Sequence, residues 1–241
     1  PSTPKGKAID AQVVHIPMDL DSIGFVNWLA TVKGKVVLAS KPEFTGRTKD
    51  NWEAFGMKGT VAQYEKDKEE NNAAWAAFMK KIGMNPTTLV RAIDQAGAAA
   101  VFTCNWTGGW GAYKIAAART AKVPNVNLTV EDYTLLYRLS KKGTPASVNL
   151  QVTNKHYGEQ PVANTMAMIK GTEKPDEYVM LSAHLDSWES GTGATDNGTG
   201  TLLMMEVMRI LKKHYPNPKR SIIVGHWGGE EQGLVGSRAY V

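Results

Sequence analysis

His184-Leu-Asp186-Ser-Trp188, Gly193-Ala-Thr-Asp196-Asn-Gly198 and Gly228-Gly-Glu230-Glu231-Gln-Gly233 follow one another in the last quarter of the chain. The first and third each close an apolar run: Tyr178-Val-Met-Leu-Ser182 leads to His184, and Ser221-Ile-Ile-Val-Gly225 leads to the glutamate pair. Short buried strands that end in polar, glycine-rich turns place their side chains at the carboxyl edge of a sheet, where open α/β proteins keep their sites. Between them Thr199 to His214 reads as one helix, with Leu203, Val207, Ile210 and Leu211 on one face. Lys212, Lys213 and His214 fill its last turn and Pro216 ends it. The pattern predicts an α/β sheet flanked by helices. Zinc takes neutral imidazole and carboxylate oxygen, and a metal-dependent hydrolase also needs a carboxylate that stays off the metal. The three motifs supply both.

In order, His-x-Asp, Gly-Ala-x-Asp-Asn-Gly and Gly-Glu-Glu-x-Gly-Leu-x-Gly-Ser, running from about Asn164 to Val241, resemble the two-zinc exopeptidases of aminopeptidase and dipeptidase type. Upstream, Gly34-Lys-Val-Val-Leu38, Ala96-Gly-Ala-Ala-Ala-Val101 and Val123-Pro-Asn-Val-Asn-Leu-Thr129 are similar to the protease-associated domain often joined to these peptidases. The resemblance implies that His184 binds one zinc, Glu231 binds the other, and Asp196 bridges both. It also implies that Glu230 is the general base and that Asp186 orients His184. A shared carboxylate holds two cations close enough to acidify the water between them. A carboxylate behind an imidazole fixes its tautomer. The implied activity is hydrolysis of a terminal peptide bond, on a peptide or dipeptide substrate, in a secreted or periplasmic setting. The rival expectation is a receptor-like binding module of the same fold that has lost its metals.

The family pattern requires two further ligands, an Asp and a His, well downstream of the glutamate pair, and Val241 follows Glu231 by only ten positions. The expectation is therefore that these 241 residues are a fragment, inactive alone, with the other ligands in the parent protein.

Composition agrees with an enzyme piece. Of the residues 42% are hydrophobic, ordinary for a globular chain, and no apolar run approaches the ~20 residues that span a bilayer. The net charge of +5 comes from scattered Lys and Arg with no basic block interleaved with aromatics, which argues against a nucleic-acid partner. A homo-oligomer is compatible with the sequence. A single cysteine, Cys104, forms no internal disulfide and reads as a small buried residue at a strand end.

The predicted domains are 1–160, protease-associated-like with a helical insertion over about 49–95, and 161–241, the first portion of the catalytic sheet. The polar run Asn154 to Gln160 before Pro161 marks the boundary. In the first part, residues up to about 34 read as irregular, followed by a strand over 35–39 and a mostly surface stretch over 41–72. A helix follows over 72–82, with Trp75, Phe78, Met79 and Ile82 on one face, closed by Gly83 and Pro86. A second helix is capped by Thr88. Strands follow over 98–103 and 123–128, then a helix starting at Thr129 and a strand carrying Val148, Leu150 and Val152. The second part adds strands over 165–169, 178–182 and 221–225. His226 reads as a structural histidine. Trp106, Trp110 and Tyr113, among Gly108, Gly109 and Gly111, form either a substrate-facing lid or a packed Ω-loop.

Overall fold

The computed structural model describes residues 1–105, 108–112, 118–188 and 191–241. Trp106 and Tyr113 lie outside the described residues. The chain divides into two compact units, Pro1–Lys155 and His156–Val241, each built on its own sheet.

In the first unit β1 (Ile9–His15), β2 (Val36–Leu38), β3 (Ala100–Thr103), β4 (Asn125–Asn127) and β5 (Ala146–Leu150) form a sheet in the order β4-β3-β2-β1-β5. The first four strands run parallel, and β5 returns antiparallel to β1. Central strands buried on both faces read as unbroken apolar runs, and Val36-Val37-Leu38 is fully buried. The pleat sends alternate residues to opposite cores. Val37 and Val101 join Phe25, Phe78, Leu89 and Ile93 beneath α1 (Ser22–Leu29), α3 (Thr60–Lys81) and α4 (Pro86–Gln95). Val36, Leu38, Ala100 and Phe102 meet Tyr133 of α5 (Val130–Lys141) on the other side. The Tyr133 hydroxyl donates to the Ser40 carbonyl and accepts the Ser40 N–H, both at 2.7 Å, which ties α5 to the carboxyl end of β2. Burial pushes that hydroxyl's pKa well up.

Several elements differ from expectation. The irregular start contains β1 and α1. In β1 only Ala11 and Val13 of alternating Ile9-Asp-Ala-Gln-Val are buried, and α1 is capped by Asp21, whose carboxylate accepts the Gly24 N–H at 2.7 Å. The surface stretch contains α2 (Lys49–Phe55) and the first half of α3, whose only buried residue is Tyr64. Pro86, read as a stop, is the first residue of α4. The cap is Asn85, whose carboxamide accepts the Thr87 and Thr88 N–H groups while Thr88 Oγ1 accepts the Asn85 N–H. Thr129 does cap α5, accepting the Asp132 N–H at 3.2 Å. Trp110 is 58% exposed and its indole lies against Gly46, where a Cβ would come within 2.5 Å of the ring.

The second unit holds β6 (Thr165–Ile169), β7 (Lys174–His184), α6 (Thr199–His214), β8 (Arg220–Trp227) and α7 (Val235–Tyr240). β8 is central, antiparallel to β6 and parallel to β7, so His184 at the end of β7 pairs with Trp227 at the end of β8. Two corrections follow. Ser221 to Val224 are buried as expected, but on the edge strand β7 Tyr178 is 57% exposed, and only Ala183 and His184 are buried. Helix α6 turns Thr201 inward with Met204, Val207, Met208 and Leu211 half-buried, whereas Leu203 and Ile210 are 58% and 44% exposed. No helix among the described residues is long and apolar enough to cross a membrane.

Candidate metal centre

The parallel register of β7 and β8 brings the motifs together. Both strands release their chains at the same edge of the sheet: His184 ends β7, and the loop after Trp227 carries Glu230 and Glu231. From the third side comes the turn Ala194–Gly198, ahead of α6. Gly193 takes a left-handed φ of 63° there and its carbonyl accepts the Gly198 N–H at 2.7 Å, closing the turn that bears Asp196. Asn197 Oδ1 accepts the Gly200 N–H at 3.1 Å, so Asn197, not Asp196, serves the helix start. That leaves the Asp196 carboxylate, three-quarters exposed, to face His184.

One ligand atom from each of His184, Asp196 and Glu231 lies within 4.8 Å of the others. His184 Nε2 is 2.8 Å from Asp196 Oδ1 and 3.8 Å from Glu230 Oε2. The imidazole is buried and fixed from behind. Its Nδ1 donates to the Asp186 main-chain carbonyl at 2.9 Å, and the Thr201 hydroxyl donates to the His184 carbonyl at 2.9 Å. A carbonyl only accepts, so Nδ1 carries the hydrogen, and the Nε2 lone pair points at the Asp196 carboxylate. Two acceptors at that distance require a proton or a cation between them. Burial lowers the His184 pKa, but the Asp186 carbonyl, the Asp196 carboxylate and Glu230 outweigh it and raise it above the ordinary imidazole value. Surroundings that hold a proton on Nε2 are those that hold a metal ion. The donor set, one imidazole and two carboxylates, suits zinc.

Asp186 is placed differently from expectation. Its carboxylate oxygen is 3.7 Å from His184 Nδ1, and its two oxygens instead accept the Glu230 and Glu231 N–H groups at 3.0 and 3.1 Å. The residue thus touches both halves of the site, His184 through its main chain and the glutamate pair through its side chain. His226 is buried, its Nδ1 finds no hydrogen-bond partner among the described residues, and it stands outside the metal-ligand group found among them. Thr201 and Asn164, which supports the glutamate loop, went unnoticed in the sequence. Neither lies in a motif, and each works through main-chain contacts distant in the chain.

Residues 164–241 match the family model for Peptidase family M28. Carboxypeptidase Q of Bos taurus is 38% identical over 119 residues, covering 49% of this chain and 25% of that protein. Aminopeptidase NAALADL1 of Rattus norvegicus is 42% identical over 82 residues, covering 32% of this chain and 11% of that protein. Among solved structures, a peptidase M28 precursor from Shewanella amazonensis SB2B aligns with a TM-score of 0.63 at 20% identity, covering 99% of this chain and 48% of that one. BSAP, a zinc aminopeptidase from Bacillus subtilis, aligns with a TM-score of 0.54 at 21% identity, covering 97% of this chain and 45% of that one. These last two likenesses are of fold. The chain spans about a quarter of the length of carboxypeptidase Q and about half that of the structural relatives.

Proposed function

We propose, from the match of residues 164–241 to peptidase family M28, that the protein is a zinc-dependent exopeptidase that removes terminal residues or splits dipeptides. The observation that carries the reading is the convergence of His184, Asp196 and Glu231 within 4.8 Å, with the Glu230 carboxylate beside them.

His184 Nε2, Asp196 and Glu231 would hold the metal, with Asp196 the bridging carboxylate. Bound zinc would supply the positive charge that acidifies a water and polarises the scissile carbonyl. Glu230 stands next to this donor set without belonging to it. Its carboxylate takes the proton of the attacking water and returns it to the leaving amine. The Asp186 carboxylate keeps the paired glutamates in place through their N–H groups, which would leave Glu231 to hold the metal and Glu230 to act as base. His184 and Asp196 would serve one ion and Asp196 and Glu231 the other, so among the described residues each ion has two donors where a catalytic zinc keeps three, and each requires one more. Alone, the chain is expected to bind one ion weakly and to turn over no substrate. The first unit would act as a protease-associated-like domain. From the family resemblance, the setting is secreted or periplasmic.

Dipeptides blocked at the amino or at the carboxyl end, offered to the zinc-loaded full-length protein, test the reading. Hydrolysis that survives one block and not the other supports an exopeptidase and names the end it reads. Cleavage of peptides blocked at both ends, or failure to cleave unblocked dipeptides and peptides as well, contradicts it.

A further inference from the structure

We infer that Asn164 is a positioning residue for the glutamate pair: its carboxamide clasps the two ends of the Gly228–Gly236 loop and so holds Glu230 and Glu231 at the site. What the pair does there rests on the function proposed above.

Asn164 directly precedes β6, and Thr165 pairs with His226, so Asn164 lies level with the point where β8 ends. Its Oδ1 accepts the Gly228 N–H at 3.2 Å, and its Nδ2 donates to the Gly236 carbonyl at 2.9 Å. One planar group offering an acceptor and a donor side by side meets both ends of the loop, which few other side chains can do. The loop closes beneath it. Gly236 N–H donates to the Gly228 carbonyl at 2.9 Å, and Val235 N–H to the Gly229 carbonyl at 3.0 Å. The fit leaves no room for side chains at either end. A Cβ on Gly236 would lie 2.1 Å from Asn164 Oδ1, and one on Gly228 would lie 2.5 Å from the Ala163 carbonyl.

The tip of the loop is held from the opposite side, because the Glu230 and Glu231 N–H groups bond to Asp186. The clasp at the mouth and the clamp at the tip fix the main chain that carries the two carboxylates. Asn164 has no bond to His184 or Asp196, so its influence on the metal passes through Glu231. A site of this kind requires its groups within a fraction of an ångström of their working positions.

The test is Asn164→Asp in the full-length protein. The variant keeps the size and the acceptor for Gly228 but sets a carboxylate oxygen against the Gly236 carbonyl. In the metal-free protein, amide exchange over residues 228–236 should rise about tenfold, as loss of one hydrogen bond allows. Residues 222–226 of β8 should keep their protection. Zinc affinity, read by competition with a chelator, should fall roughly 10–100-fold, as it does when partners outside the ligand set are lost. Gly236→Ala should produce the same pattern from the other end of the clasp. Unchanged exchange in the loop overturns the clasp. Exchange that rises equally in β8 reduces the residue to general stability and overturns the positioning role, as does an opened loop with undiminished zinc affinity. A parent protein that binds no zinc overturns the proposed function instead, and the exchange pattern then decides the clasp by itself.

Discussion

His184 Nε2 lies 2.8 Å from Asp196 Oδ1, across the gap between the end of β7 and the turn before α6. Because the Asp186 carbonyl fixes the hydrogen on Nδ1, that contact is satisfied only by a positive species between the two groups.

Glu230→Gln keeps size and hydrogen bonding but removes proton acceptance. Loss of a general base costs roughly 10²–10⁴-fold in rate. Turnover of the full-length variant should fall by that amount while bound zinc, measured by atomic absorption, stays at the parent's level. Near-parental turnover would remove Glu230 from its role.

Alanine at Asp196, His184 and Glu231 separates a shared ligand from unshared ones. Asp196→Ala should deplete all bound zinc, whereas His184→Ala and Glu231→Ala should each mainly weaken one ion, as a bridging carboxylate implies. Zinc counted per protein after dialysis gives the ranking. Full occupancy in Asp196→Ala would show that the carboxylate bridges nothing.

His15 gives the first unit a pH dependence. Its Nδ1 lies 2.8 Å from Ser140 Oγ and its ring meets Tyr137 edge-on at 5.4 Å. Burial, with help from Lys141, lowers its pKa below the ordinary value of 6.5. A depressed imidazole pKa means that the unfolded chain takes up the proton first. The contribution is therefore complete above about pH 6.5 and is lost as pH falls through that value toward the folded pKa. Urea midpoints of the first unit should drop between pH 7.5 and 5.5, and less steeply in His15→Gln. Equal slopes would place the effect elsewhere.

That His184, Asp196, Glu230 and Glu231 come together was legible because each sits in a short motif at fixed spacing, and glycines there mark where the chain must turn. α6 was legible as a helix but not in its inward face, since Leu203 and Ile210 are exposed in this unit while Thr201 is buried. β1 and α1 were missed because both are short and their apolar residues are interrupted by Asp10 and Gln12 in one and by Gly24 and Asn27 in the other. The first half of α3 was read only within a coarse helical insertion and without bounds, because Glu65 to Asn72 has no apolar face at all. The Asn164 clasp was not legible, because its partners lie 64 and 72 positions away. Nor was the amide clamp of Asp186, which depends on β7 and β8 ending at one edge.

Chelation and restoration test the central claim most directly. The full-length protein should lose peptide turnover when zinc is stripped by a chelator and regain it when zinc is returned, while His184→Ala, at the ligand aimed at Asp196, should fail to regain it at the same zinc concentration. Turnover that survives complete removal of zinc, or full recovery in His184→Ala, would contradict the assignment of this edge of the sheet as a zinc peptidase site.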